Sequence, residues 1–310
     1  MPELDIKELL ECLGSPESAV ADAEAEYEKK IDEVAFRVVD SGSVRVIYLA
    51  GPSGSGKTTT ANLLADRIRE LGEKSLVVSM DNFYLNSSDP RYPRLNNGER
   101  DFESPYALDT ETLRSTISKV ISGAPFAVPK YDFKAGGLVG SVEYESFSDG
   151  CVIIEGIHAL NPIFSDTYPK GSVLKMFVSV STNINDGARR IISGKKLRFV
   201  RRMVRDNIYR GASAERTLAM WSGVLAGEEE HLYPYKSLAD IRFDTFHRFE
   251  PSVLKPFADE LLTEDIVNAS PYARTVKSAL AKIPALPSDI VPDSSLIREF
   301  IPGGIYEELY

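Results

Sequence analysis

The fold of this 310-residue chain is decided by the stretch Val44-Arg-Val-Ile-Tyr-Leu-Ala-Gly51-Pro-Ser-Gly-Ser-Gly56-Lys57-Thr58. It opens with a β-branched apolar run, typical of a buried strand, and it ends in a glycine-rich turn. Residues 59–71 then carry apolar side chains at helical spacing, and a second apolar run occupies residues 76–80. This order of strand, glycine turn, helix and strand predicts an α/β fold with a mostly parallel sheet flanked by helices.

The turn at residues 51–58 matches the pattern G-x-x-x-x-G-K-[ST], which predicts a P-loop NTPase fold. Its glycines let successive N–H groups point at phosphate oxygens, and the following helix directs its positive end to the same anion. Lys57 is expected to reach the β- and γ-phosphates, and the Thr58 hydroxyl is expected to bind Mg²⁺. The predicted nucleotide-binding residues are Gly51, Ser53, Gly54, Ser55, Gly56, Lys57, Thr58 and Thr59.

Two acidic residues follow or end apolar runs of the predicted sheet. Asp81 comes directly after the second run, and Glu155 ends a third run at residues 151–155. Because the ends of parallel strands meet at the edge that carries the P-loop, both carboxylates are expected to face the triphosphate. We predict Asp81 as the base that accepts a hydroxyl proton and Glu155 as a metal-site acid. The alternatives are an Asp81 that caps a turn and an ordinary glutamate at a strand end.

Charge is distributed unevenly along the chain, which has a net charge of −10 and a pI of about 5.0. Residues 1–40 contain 12 acidic and four basic residues, whereas residues 189–210 contain nine basic residues and one acid. One face of a predicted helix carries Arg198, Arg201, Arg202 and Arg205. We interpret this arginine stripe as a lid that closes over phosphates; a solvated surface and an RNA-binding surface are the alternatives.

The rest of the chain is predicted to alternate helices and strands. Helices are expected at residues 4–38, 107–122, 183–193, 196–209, 213–227 and 251–262. Strands are expected at residues 151–155, 174–180 and 239–243, with a hairpin within residues 125–148. The chain therefore divides into an acidic helical extension at 1–42, a P-loop domain at 43–265 and a proline-spaced appendage with a short helix at 266–310.

Composition excludes several classes of protein. No run of about 18 apolar residues occurs, so no membrane span is expected, and the acidic pI argues against nucleic acid as the main ligand. The start, MPELDIKELL, lacks the basic region of a secretory signal. Cys12 and Cys151 do not make a disulfide framework, so we expect a reduced, cytoplasmic location. The guanine-reading sequence N-K-x-D is absent, which disfavours a GTPase.

Taken together, these pieces resemble the phosphoribulokinase/uridine kinase family of P-loop kinases, in particular bacterial uridine kinase-like proteins. The motifs that carry the resemblance are GPSGSGKT (51–58), MDNFY (80–84), DFESPYALD (101–109), VPKYDF (128–133), IIEGIHALN (153–161) and RRMVRDNIYRG (201–211). A weaker similarity to the family is present at residues 294–300. The resemblance implies an ATP- and Mg²⁺-dependent kinase of a small molecule, with the 5′-hydroxyl of uridine or cytidine as the favoured acceptor.

The resemblance also implies roles for individual residues. The catalytic residues would be Asp81 as the base, Lys57 and Arg205. The metal site would contain Thr58 and Glu155, and the arginines at the ATP would be Arg202 and Arg210. The substrate-binding residues would be Asp81, Tyr84, Glu103, Tyr131, Phe133 and Arg202, with Glu103 at the ribose hydroxyls and Tyr131 and Phe133 beside the base.

Four positions depart from the pattern of well-known uridine kinases. Glu103 replaces an Asp, and residues that read the base are replaced by Gly136, Ala212 and Met220. Buried hydrogen-bonding groups discriminate strongly between substrates, so these departures affect base recognition and leave the phosphate chemistry intact. Two further hypotheses therefore stay open: a kinase of the same fold that acts on a sugar phosphate or a pantothenate-like acceptor, and a nucleotide-binding regulator with little turnover. Assembly into a homo-oligomer also stays open.

Overall fold

The computed structural model of the chain describes residues 2–95, 98–132, 135–147, 149–165, 168–169 and 171–309. The strands are β1 (Glu3–Asp5), β2 (Val46–Ala50), β3 (Lys74–Ser79), β4 (Phe126–Asp132), β5 (Gly137–Tyr144), β6 (Gly150–Glu155), β7 (Val173–Ser179), β8 (Asn183–Asp186), β9 (Arg189–Ile192) and β10 (Ile241–Asp244). The helices are α1 (Ile6–Cys12), α2 (Pro16–Ser41), α3 (Lys57–Glu70), α4 (Thr110–Ser122), α5 (Pro162–Ser165), α6 (Gly194–Arg210), α7 (Ala214–His231), α8 (Glu250–Leu261), α9 (Glu264–Ala269) and α10 (Pro271–Leu280). Short 3₁₀ turns lie at Met80–Phe83, Pro105–Ala107, Tyr233–Leu238, Ser288–Ile290, Leu296–Glu299 and Glu307–Leu309.

Five parallel strands form the central sheet in the order β10-β7-β2-β6-β3. In the middle of the sheet, Ile47 of β2 pairs with Ile153 of β6 on one side and with Leu174 of β7 on the other. Every residue of β2 and of β6 is buried, as their continuous apolar runs require when helices cover both faces. The prediction of an α/β fold with a parallel sheet flanked by helices is confirmed.

Alternate side chains of β2 enter two separate apolar clusters. Ile47 and Leu49 join the cluster that contains residues of α2, α3, α6 and α8, whereas Val46 and Tyr48 join the cluster that contains residues of α4. This alternation follows from the two-residue period of a strand. The strand β2 is therefore held by burial on both sides, and the turn that follows it starts from a rigid support.

The prediction of a helix at residues 183–193 is wrong. These residues form the antiparallel hairpin β8–β9, and β1 adds to it in parallel, with Glu3 opposite Asn183. The two-residue loop is Gly187-Ala188, between the paired residues Asp186 and Arg189, and φ is 56° at Gly187. A glycine at the first position of such a loop is typical of a β-hairpin. The pairing with β1 joins residues 180 positions apart, so the helical spacing of local residues could not reveal it.

The predicted helix at residues 4–38 is interrupted in the structure. It consists of β1, α1 and the longer α2, and the break at residues 13–15 precedes Pro16. Proline fits the first turn of a helix, where its missing N–H costs nothing, and it disfavours helical geometry in the residue before it. Pro16 therefore starts a new helix and does not continue the old one.

Both terminal regions pack against the sheet domain. The apolar cluster around α3 includes Tyr27 and Ile31 of α2 and Leu296 and Phe300 near the C-terminus. The hydroxyl of Tyr27 also lies 2.8 Å from the Thr60 hydroxyl of α3. Across the described ranges, none of the helices has the length and apolar character needed to cross a bilayer.

Candidate active site at the P-loop

The turn between β2 and α3 depends on its glycines. Gly54 and Gly56 have φ of 71° and 84°, in the left-handed region that residues with a side chain rarely adopt. At Gly51 a Cβ atom would lie 2.2 Å from the Val178 carbonyl oxygen, so only glycine fits there. Helix α3 begins at Lys57, directly after the turn. The local chain therefore presents a helix N-terminus at the end of the buried sheet, where anions bind well.

The carbonyl groups of this P-loop are held from behind. Arg198 donates to the carbonyl oxygen of Ser53 at 2.8 Å, and Arg201 donates to that of Gly54 at 3.3 Å. The Thr245 hydroxyl donates to the carbonyl oxygen of Ser55 at 2.8 Å. With its carbonyl groups bound on one side, the loop is fixed in one conformation.

Arg198 and Arg201 therefore do not belong to a phosphate-binding stripe, and that part of the prediction is wrong. Both are almost completely buried and paired, Arg198 with Glu228 at 2.7 Å and Arg201 with Glu250 at 2.5 Å. A buried cation must be paired and hydrogen-bonded. These guanidinium groups are therefore occupied by their carboxylates and do not serve as phosphate ligands. Glu228 also accepts from the Ser53 N–H at 3.1 Å, which ties α6, α7 and the P-loop together.

The other arginines of the segment gather around one acid, Asp206. Arg205 donates to its carboxylate at 2.8 Å, and Arg202 and Arg210 lie 3.2 Å from it. Asp206 is buried, and the spacing 202–206–210 along α6 is the i,i+4 signal that could have identified it. Arg202 also donates to the Ser53 hydroxyl of the P-loop at 2.8 Å. One carboxylate thus contacts three guanidinium groups, and one of these, Arg202, also contacts the P-loop.

Asp81 lies in the 3₁₀ turn that follows β3, at the P-loop edge of the sheet. Its side chain is exposed to solvent on one side, and protein atoms surround the carboxylate on the others. This desolvation raises the pKa of Asp81 above its usual range. Lys57 is the strongest of the cations that oppose the rise, followed by Arg210 and Arg205. The predicted base and three predicted phosphate-binding cations therefore share one electrostatic environment.

Glu155 lies at the end of β6 and is buried. Burial raises the pKa of Glu155 to about 7; Lys57 opposes that rise and Asp81 adds to it. Lys57 donates to the Pro52 carbonyl oxygen at 3.3 Å. The structure thus brings Asp81, Glu155 and Lys57 together, as their positions in the sequence predict.

The residues present fit Mg²⁺ bound together with a nucleotide. Mg²⁺ takes oxygen ligands, usually one or two carboxylates with substrate phosphates and water. Thr58 and Glu155 would supply a hydroxyl and a carboxylate. Within the ranges that the structure describes, no three His, Cys, Asp or Glu side chains gather as a metal cluster.

Glu103, one of the predicted substrate-binding residues, faces Arg202. Burial raises the pKa of Glu103 to about 7, and the Arg202 guanidinium opposes that rise. Helix α7 lies close to Glu103: a Cβ atom added at Gly227 would be 2.5 Å from the Cβ of Glu103. Sequence reasoning missed Gly227, whose only signal is a glycine inside a helix. Gly227 therefore makes the space in which Glu103 lies.

The hairpin expected within residues 125–148 is present as the antiparallel pair β4–β5. A cavity of about 750 Å³ lies between it and β3, and its lining includes Asn82 and Tyr131. The rings of Tyr84 and Tyr131 lie 5.8 Å apart, and the Tyr84 hydroxyl donates to the Phe102 carbonyl oxygen. The predicted substrate residue Phe133 lies outside the described residues.

Comparison with known proteins places the chain in a family. Residues 46–249 match the Phosphoribulokinase / Uridine kinase family, and the chain belongs to that family. It is 31% identical over 185 residues to a uridine kinase of Deinococcus deserti, a match that covers 58% of this chain and 78% of that protein. It is 29% identical over 198 residues to uridine kinase-like protein 5 of Arabidopsis thaliana, covering 63% of this chain and 38% of the relative. A solved structure described as a possible uridine kinase from Bacillus stearothermophilus aligns with a TM-score of 0.47 and 18% identity, over 71% of this chain and all of that one. The resemblance seen in the sequence motifs is confirmed at the level of the family.

Proposed function

We propose that this chain is an ATP- and Mg²⁺-dependent kinase that phosphorylates a hydroxyl of a small molecule, with the 5′-hydroxyl of uridine or cytidine as the first acceptor to test. The observation that carries the proposal is the grouping of Asp81, Glu155 and Lys57 at the P-loop edge of the sheet. A base, a metal-site acid and a phosphate-binding lysine are the parts that phosphoryl transfer requires.

Each group has a task that its surroundings support. When bound, ATP with Mg²⁺ supplies the phosphoryl group and neutralises part of its charge. Asp81 accepts the proton of the acceptor hydroxyl, and its raised pKa makes it a stronger base than an aspartate of ordinary pKa. Lys57 and Arg205 stabilise the negative charge that develops on the transferred group. The P-loop, fixed from behind by Arg198 and Arg201, needs little rearrangement when phosphates bind.

The nucleoside is supported by the family and by the aromatic pair Tyr84 and Tyr131, and Glu103 would accept hydrogen bonds from ribose hydroxyls. A second candidate is a sugar phosphate or pantothenate-like acceptor. It is favoured by two observations at positions that read the base in uridine kinases: Gly136 offers no side chain, and Met220 is 48% exposed. A regulator with little turnover is the third alternative.

The test is a panel of acceptors with purified protein, MgATP and a coupled measurement of ADP release. Uridine, cytidine, other nucleosides, ribulose 5-phosphate and pantothenate would be compared at matched concentrations, and the product would be identified by mass spectrometry. ADP release that depends on uridine or cytidine supports the nucleoside proposal. Activity confined to a non-nucleoside acceptor refutes the nucleoside and leaves the kinase. ATP binding without transfer to any acceptor supports the regulator.

A further inference from the structure

A segment near the C-terminus, residues 295–301, packs directly against the P-loop helix α3. It lies outside the part of the chain that matches the family, residues 46–249. Its apolar side chains are fully buried: Leu296, Ile297, Phe300 and Ile301. Leu296 covers the P-loop so closely that a Cβ atom at Gly56 would lie 2.6 Å from its side chain. We call residues 295–301 the tail segment.

The tail segment places one carboxylate at the start of α3. Glu299, which is 4% exposed, accepts hydrogen bonds from the Thr59 hydroxyl at 2.9 Å and from the Thr59 N–H at 3.3 Å. The first N–H groups of a helix have no partner within the helix, and they bind side-chain oxygens or external anions. Helix α3 begins after Gly56, which has no side chain to act as a cap, and its first turn, Lys57-Thr-Thr-Thr60, contains no acid. Glu299 is therefore an anion that the protein itself supplies to this helix.

The Glu299 carboxylate also interacts electrostatically with residues of the candidate active site. Its other oxygen is 3.9 Å from Arg205, one of the two arginines that act on Asp81. Glu299 is also one of the acids that raise the pKa of Glu155. Glu299 thus lies between Thr59, a predicted nucleotide-binding residue, and Arg205, a predicted catalytic residue.

We infer that Glu299 sets the affinity of the nucleotide site by competing with a nucleotide phosphate for the N-terminus of α3 and for Arg205. This inference rests on the proposed function, because it requires that the P-loop binds a nucleoside polyphosphate. Thr59 can donate its hydroxyl and N–H to a carboxylate or to a phosphate, and both anions cannot take the same two donors. A buried carboxylate that stays nearby repels the phosphates, since little water screens it.

The tail segment itself remains in place during this competition. Four fully buried apolar side chains anchor it, and exposing them all would remove several large hydrophobic contributions at once. One oxygen of Glu299 already lies 3.9 Å from Arg205, so the carboxylate keeps a cation beside it when a phosphate takes the Thr59 donors. The competition therefore changes affinity without opening the fold.

The test compares the wild-type 310-residue chain with its variants Glu299→Gln and Glu308→Gln. Glutamine keeps an oxygen that can accept from Thr59 and removes the negative charge. Glu308 is an exposed acid nine residues further along, so its substitution removes the same charge away from the site. Titration calorimetry with MgADP and MgATP, at low and high ionic strength, measures affinity without any acceptor, and thermal unfolding checks each fold. Glu299→Ala, which removes the same charge, serves as the second variant if the glutamine variant does not fold.

We expect Glu299→Gln to tighten nucleotide binding about tenfold at low salt, while Glu308→Gln leaves it unchanged. Equal or weaker binding in Glu299→Gln, with the wild type binding normally, overturns this inference and leaves the proposed kinase intact. Binding that appears only in Glu299→Gln supports it in its strongest form. Absence of nucleotide binding in all variants overturns the proposed function and this inference with it.

Discussion

Replacing Arg201 by methionine distinguishes a structural arginine from a catalytic one. Arg201 is fully buried, is paired with Glu250 at 2.5 Å, and donates to the carbonyl oxygens of Gly54 and Thr245. Arg201→Met leaves the Glu250 carboxylate buried without its cation. Removing one partner of a buried ion pair costs about 3–5 kcal/mol, because the remaining charge is not compensated. At about 2–4 °C per kcal/mol for a protein of this size class, we expect the unfolding midpoint to fall by roughly 6–20 °C.

The assay is thermal unfolding followed by circular dichroism, with urea unfolding as a second measure. Arg190→Met is the matched control, since Arg190 belongs to the same basic segment but is half exposed, and we expect its effect to stay within about 0.5 kcal/mol. The double variant Arg201→Met with Glu250→Gln removes the unpaired charge and should regain part of the lost stability.

One result would refute this reasoning about Arg201. If Arg201→Met unfolded within about 2 °C of the wild type while phosphoryl transfer fell at least a hundredfold, Arg201 would serve phosphate directly. The arginine stripe inferred from helical spacing would then be the better description of α6, and the burial of the pair would have no energetic consequence.

Three other substitutions test the site and its surroundings. Asp81→Asn should bind ATP with little change and lose at least ~10² in turnover, and unchanged turnover would disprove the base assignment. Gly227→Ala should push Glu103 aside and raise the KM for the acceptor about tenfold. A Cβ atom at Gly223 would contact nothing beyond its chain neighbours and the backbone of its own helix, so Gly223→Ala is a control that should preserve KM and gain up to ~1 kcal/mol of stability. Burial raises the pKa of Glu24 from 4.5 to about 7, so the folded state favours the protonated form and loses stability as pH rises through that window. At about 1.36 kcal/mol per pH unit, Glu24→Gln should gain roughly 3 kcal/mol over the wild type between pH 4.5 and pH 8, and a difference that does not vary with pH in urea unfolding would contradict this.

The part of the fold that the sequence predicts best is the part that local physics determines. The strand β2, the glycine turn and α3 follow one another directly, and each carries its own signal of apolar run, glycine or helical spacing. The positions of Asp81 and Glu155 were predictable for a related reason, because parallel strands bring their ends to one edge of the sheet.

The prediction fails where the partner is distant in the chain. The helical spacing of Arg198 and Arg201 is correct, but their partners Glu228 and Glu250 lie on later helices. A sequence pattern shows which arginines share a helix and does not show which of them become buried. The hairpin β8–β9 was missed for a comparable reason, since its third strand comes from residues 3–5. Glu299 could not be predicted for the same reasons: it is buried, and its hydrogen-bond partner Thr59 lies 240 positions earlier in the chain.

The position of the tail segment also bears on biosynthesis. The ribosome completes residues 46–249, the part that matches the family, before it reaches Glu299, 50 residues later. At translation rates of about 5–20 residues per second, that interval lasts roughly 3–10 s. Throughout it, the first turn of α3 is made but still lacks the carboxylate that will occupy it. A nascent chain that has emerged as far as residue 249 would thus have a nucleotide affinity different from that of the chain that contains Glu299.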